Sequence, residues 1–249
     1  MAGFLRRTAP TPVTRAALAA ALDDAALAER IVVRLSRRAR RLSLRIDVGA
    51  GHAVLVQPPR MAAAAVLAFA AARREWIADR LGELPCRIAF DEGAVIPLRG
   101  ETHVLRFAPD ARGGVWRDDG AIVVTGRAEH APRRLIDWLK SEARAAIAPL
   151  ARELAAALDR RVAAITVRDT TSRWGSCSRN GRLSFSWRLV LAPMPVLRYV
   201  VAHEVAHLRH MNHGPAFWRT VDGLLGDADG GRSARQWLRD HGAVLHRYG

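Results

Sequence analysis

Polar and apolar positions change their rhythm several times along the chain, and each change predicts an element. Residues 1–30 read as a loose leader followed by an alanine-rich helix, with Thr14 as N-cap and Asp23, Asp24 and Glu29 keeping one side wet. From Ile31 the period becomes two, in IVVRLS, RLSLRIDV and HAVLVQ. Gly49, Ala50 and Gly51 supply a hairpin turn between the last two, so these are expected to be antiparallel strands. Pro58 and Pro59 close that segment, and residues 61–81 have the composition of one helix anchored by Trp76 and Ile77.

Short strands resume in RIAF, AVIPL, HVLRF, GGVW and AIVV, separated by turn-forming Asp, Gly and Pro residues. A helical stretch over about 131–159 follows, which Pro149 is expected to kink or divide. The fold class expected is α+β. It comprises a leader over 1–30, an antiparallel strand-rich part with one helix over 31–126, and a linking helix plus a second, chemistry-bearing part with a short sheet over 127–249.

Composition narrows the function classes. Lys+Arg number 39 against 24 Asp+Glu, a formal net charge of +15, and nearly all of it is arginine, since Lys140 is the only lysine. Such a field favours polyanions, so nucleotides and non-specific nucleic acid enter as possible partners. The two cysteines, Cys86 and Cys177, form no C-x-x-C pair, which excludes a disulfide scaffold and a thiolate zinc finger. The longest apolar run, residues 61–72, falls short of the roughly 20 residues a membrane span needs. A cytoplasmic protein with reduced thiols and no membrane contact is expected, and the oligomeric state is left open.

The chemistry concentrates in the last ninety residues. His203, Glu204 and His207 form H-E-x-x-H within an apolar, helix-compatible run. At about 100° per residue, His207 lies about 40° around the helix from His203, so two imidazoles one turn apart can reach one metal ion. Glu204, beside the first of them, is placed to take a proton from water. Burying these groups among Val and Ala without a partner would be costly, which argues for a metal.

A catalytic zinc takes three protein ligands, so a third is needed. His213 is favoured, because Asn212 and Gly214-Pro215 let the helix end near Met211 and turn His213 back; His210 and the more distant Asp222 remain alternatives. His210 otherwise sits at the rim. Two strands, 171–178 and 182–189, joined by Ser-Arg-Asn-Gly, precede the metal helix. Arg173 on the first is a candidate for holding an anionic substrate group, and Trp174, Trp187, Phe217 and Trp218 are read as packing residues.

These motifs carry a resemblance. SRWGSCS at 172–178, SFSWRLVLAP at 184–193, YVVAHEVAHL at 199–208 and NHGPAFW at 212–218 resemble the YgjP-like branch of zincin metallopeptidases, related to the SprT-like proteins. Weaker similarity extends from about residue 30 to 245. The resemblance implies a zincin-like catalytic part, Zn²⁺ held by His203, His207 and His213, Glu204 as general base, and a peptide or protein substrate. The asparagine usual in the family before Trp187 is Ser186 here. Two rival functions keep the basic charge in view: a metal-dependent hydrolase of nucleoside triphosphates, for which no P-loop pattern exists, and a DNA-associated protease or DNA-binding protein.

Overall fold

A computed structural model describes residues 13–249. The notion of a leader therefore applies, over residues 1–12, to positions outside the described chain. The described chain divides into two compact units, one ending at Pro85 and the other running Cys86–Gly249. That division falls inside the stretch 31–126, ahead of the long helix.

In the first unit, Thr14 caps α1 (Arg15–Leu22) by accepting from the backbone N–H of Ala17, and Asp24 caps α2 (Ala25–Glu29) in the same way through Leu27. Leu18, Leu22 and Leu27 are buried, so residues 13–30 belong to the core of this unit. Strands β1 (Ile31–Leu35), β2 (Ser43–Asp47) and β3 (His52–Gln57) form a sheet in the order β1-β3-β2. The hairpin between β2 and β3 is antiparallel as expected, but β1 pairs with β3 in parallel, so the sheet is mixed. Hydrophobic content decides the order. HAVLVQ buries most of its residues and takes the centre, leaving the arginine-bearing strands at the edges.

The single helix expected over 61–81 is two, α3 (Ala63–Ala71) and α4 (Arg74–Gly82). Neither Gly nor Pro breaks it. Arg73 leaves the helical region at φ −121°, ψ 14°, with its guanidinium over the Phe69 ring, while Arg74 donates to the carbonyl of Leu22 at 2.9 Å. The change of direction lets Ile77 and Leu81 join the core.

The second unit opens with a four-stranded sheet, β4 (Val95–Leu98), β5 (Glu101–Ala108), β6 (Val115–Asp118) and β7 (Ala121–Thr125), in the order β4-β5-β7-β6 with β5 and β7 parallel. RIAF is not a strand; Ile88 makes one isolated bridge to Tyr248. Helix α5 (Ala131–Ala156) runs unbroken through Pro149. Its stripe of Leu135, Leu139, Ala143, Ile147, Ala151 and Leu154 is buried, and that burial outweighs the backbone bond a proline forfeits. It is thus a core helix of this unit and not a linker.

A second sheet, β8 (Ala164–Arg168), β9 (Gly175–Cys177) and β10 (Arg182–Ser186), has the order β8-β10-β9, parallel between β8 and β10 and antiparallel between β9 and β10. The expected hairpin is present but shorter, because residues 187–191 wind into a 3-10 turn whose side chains are all buried. Helices α6 (Met194–Ala206), α7 (Pro215–Leu225) and α8 (Ala228–Leu245) complete the unit. Eight helices and three small sheets among the described residues make the chain α+β. No described helix is long and apolar enough to cross a membrane.

Candidate metal centre

Helix α6 starts on Pro193 and Pro195, which suit a helix N-terminus, and is held by buried Leu197, Val200, Val201, Ala202 and Val205. Its last turn carries His203, Glu204 and, as the capping residue still in the helical region, His207. The helix ends at Ala206, earlier than the Met211 expected, and Asn212 is not left-handed. The turn after it folds tightly, with the N–H groups of Arg209 and His210 both donating to Ala206. Gly214 then precedes Pro215 at the start of α7, and His213 hangs between the two helices.

Among the described residues His203, His207 and His213 each place a ring nitrogen within 4.8 Å of the others. Nε2 of His203 and Nε2 of His213 are 3.1 Å apart. With metal–nitrogen bonds of about 2.0–2.1 Å, the edge of a tetrahedral site is about 3.3 Å, so the spacing suits one ion shared by the rings. The sequence alternatives separate here: His213 joins the cluster, whereas His210 and Asp222 do not.

His210 contributes through its backbone. Its carbonyl lies 3.0 Å from Nδ1 of His207, and because a carbonyl can only accept, Nδ1 carries the proton and Nε2 is left with its lone pair. The imidazole of His210 instead borders a groove with Arg209, Arg219 and the end of α5. Nδ1 of His203 is buried with no hydrogen-bond partner, the one polar atom of the cluster so placed.

Electrostatics prepares the rings for a cation. Burial drives the pKa of His203 down to about 4, helped by His207, His213 and Arg235, and burial also lowers that of His207. Both are neutral near pH 7 and need not release a proton to bind a metal. The Phe217 ring, fully buried, packs at 4.7–4.9 Å from all three imidazole centroids, and Trp218 stacks on His213 at 5.8 Å. Arg235 in turn lies 4.7 Å over the Trp218 ring.

Glu204 is 7% exposed, and its pKa rises to about 7 through burial, with Arg173 opposing the rise. Strand β9 covers it. A Cβ on Gly175 would come within 2.5 Å of Cγ and 2.7 Å of Oε1 of Glu204, so only glycine allows this approach. Cys177 sits near the same carboxylate, and burial first, then the charge of Glu204, pushes its thiol up to about 11. It is a half-buried thiol that stays protonated near neutral pH. Trp187 and Phe217 are core, and Trp174 stacks on His246 at 4.5 Å.

The sequence reading missed Gly175, the His210 carbonyl and the Arg235–Trp218 pair. Only the first had a signal: a lone glycine in a strand pattern between Trp174 and Ser176 marks close backbone approach.

Three clustered imidazoles lie beside a buried carboxylate, an arrangement of groups able to hold a metal ion. The family described as YgjP-like, metallopeptidase domain, matches residues 40–241, and the chain belongs to that family. Neither a curated protein nor a solved structure matches it.

Proposed function

We propose that the protein is a zinc-dependent metallopeptidase in which His203, His207 and His213 hold the ion and Glu204 is the general base. The observation that carries this reading is the convergence of three ring nitrogens within 4.8 Å, next to a buried Glu204. Imidazoles in a compact N₃ set suit Zn²⁺, and the 3.1 Å separation of two Nε2 atoms fits its bond lengths. Bound there, zinc supplies the Lewis acidity that polarises a carbonyl and acidifies water.

The rest falls to the chain itself. Glu204 accepts the proton of the attacking water at its carboxylate and passes it to the departing amine; burial raises its pKa and so favours its holding that proton between the two transfers. The His207–His210 contact fixes one ring, and Phe217 excludes water from the backs of all three. Arg173 favours the ionised state of Glu204 from the open side. Beside it, edge strand β9 offers free backbone groups on which an extended peptide can lie. The zincin-like arrangement of helix and edge strand is part of this proposal. Two free thiols, Cys86 and Cys177, suit a reducing compartment, and we place the enzyme in the cytoplasm. The family match speaks for peptides over nucleotides or DNA.

The test is metal analysis of the purified protein with His203→Ala and Glu204→Gln beside it. Near one zinc per chain is expected in the wild type and in Glu204→Gln, with none in His203→Ala, and peptide hydrolysis only in the wild type. Undiminished hydrolysis by Glu204→Gln would refute the role given to Glu204.

A further inference from the structure

In the β8-β10-β9 sheet the two faces differ sharply. Directly paired residues share a face, so Leu183 with Cys177 and Phe185 with Gly175 point towards the core and Glu204. Thr166, Ser184 and Ser176 then form a row across the opposite face, flanked by Arg168 and Arg182. A groove of about 420 Å³ opens there, with Arg168, Arg173 and Arg182 in its walls and hydroxyl groups along its floor. No acidic residue lines it. All three arginines are exposed, and none makes an ion pair with a described carboxylate. Asp169, next in sequence to Arg168, is engaged by Arg188 at 3.1 Å.

We infer that this groove binds acidic side chains of the peptide substrate, so that the enzyme selects extended segments carrying Asp or Glu at alternate positions. The inference rests on the peptidase reading and adds the substrate class to it. An extended chain laid along edge strand β9 turns successive side chains to opposite faces of the sheet. One set faces the metal centre and the other meets the arginines. Guanidinium groups with unengaged donors, beside hydroxyls, suit carboxylates. Arg173 joins the two regions, since it lines the groove and also acts on Glu204. Peptide is favoured over nucleic acid because no aromatic ring lines the groove to stack a base.

The experiment measures binding by the zinc-loaded Glu204→Gln protein, which leaves its probe intact, using fluorescence anisotropy. The probes are a labelled peptide of alternating alanine and glutamate, its alanine–glutamine counterpart, and oligothymidylate of equal charge. The acidic peptide is expected to bind about tenfold more tightly than the neutral one, and less so as salt rises. Arg168→Gln with Arg182→Gln abolishes that preference, while Arg34→Gln with Arg37→Gln, in the first unit, leaves it. Zinc content of each variant shows that the site stays folded.

Equal affinity for the two peptides would overturn the inference. So would equal loss in both double variants, which would reduce the effect to net charge, or tighter binding of oligothymidylate than of the acidic peptide. Because binding is read without turnover, a wild type that hydrolyses no peptide would sink the peptidase reading separately.

Discussion

Gly175 and Glu204 meet with no space for a methyl group between them: a Cβ on the glycine would lie 2.5 Å from Cγ of the glutamate. The strand thereby holds the carboxylate against α6 from above. Gly175 has no positive φ, so its requirement is for volume and not for backbone freedom. Gly175→Ala is expected to keep its zinc but to lose about 10- to 100-fold in turnover, because small misplacements of a proton-transfer group are costly. Zinc content and kcat measured together check this, and full activity in the variant would show that Glu204 needs no such seat.

His210 and His213 divide by mechanism. His213→Ala removes a ring of the cluster and is expected to weaken zinc binding by at least about 100-fold, beyond what a supporting contact alone carries. His210→Ala retains the carbonyl that orients His207 and should bind zinc as the wild type does. Competition with a chromophoric chelator measures both, and a zinc-free His210→Ala would restore that side chain as a ligand.

The metal-free protein should show opposing pH effects. Glu204 is raised from 4.5 to about 7, so the folded state keeps a proton the unfolded state gives up, and stability falls as pH rises through that window. His203 is lowered from 6.5 to about 4, so the unfolded state takes a proton first, and stability falls as pH drops through that one. Where the windows overlap the slopes oppose each other. Glu204→Gln removes the first, and its stability should climb from pH 4.5 to 6.5 more steeply than that of the wild type. Urea unfolding followed by tryptophan fluorescence reads this, and superimposable profiles would disprove it.

Arg188 is buried beneath the C-terminal segment, donating to the carbonyls of Leu245 and Tyr248 and to Asp169. Arg188→Ala strands those two carbonyls, and a loss of about 2–3 kcal/mol is expected. A shift of the urea midpoint at unchanged slope measures it.

The sequence was most informative where one residue type has one use. H-E-x-x-H on an apolar helix and the Thr14 cap were readable, because spacing and side-chain chemistry determine them locally; His213 was expected in the cluster through a left-handed Asn212 after Met211, but it arrives there by a turn that begins at Ala206. Pairing was not readable. IVVRL gives no sign that it will run parallel to HAVLVQ, since its direction depends on a partner two strands on and not on its own residues. The break at Arg73 was equally silent: it goes with a local contact of Arg73 on Phe69 and a long-range bond from Arg74 to the carbonyl of Leu22. In the site, the early end of α6 and the His210 carbonyl depend on backbone geometry, which residue identity does not encode.

The bridge between Ile88 and Tyr248 brings the start and finish of the second unit side by side, with Ile88 donating to Arg247 and accepting from Gly249. The second unit, taken without the first, has ends that adjoin and so can be rejoined and reopened elsewhere. New termini cut at the exposed Ser178–Gly181 turn would sever the covalent link between β9 and β10 while preserving their ladder. Such a circular permutant separates two properties that the natural order keeps together, the covalent continuity of the edge strand with the metal helix and the hydrogen-bonded position of that strand over Glu204.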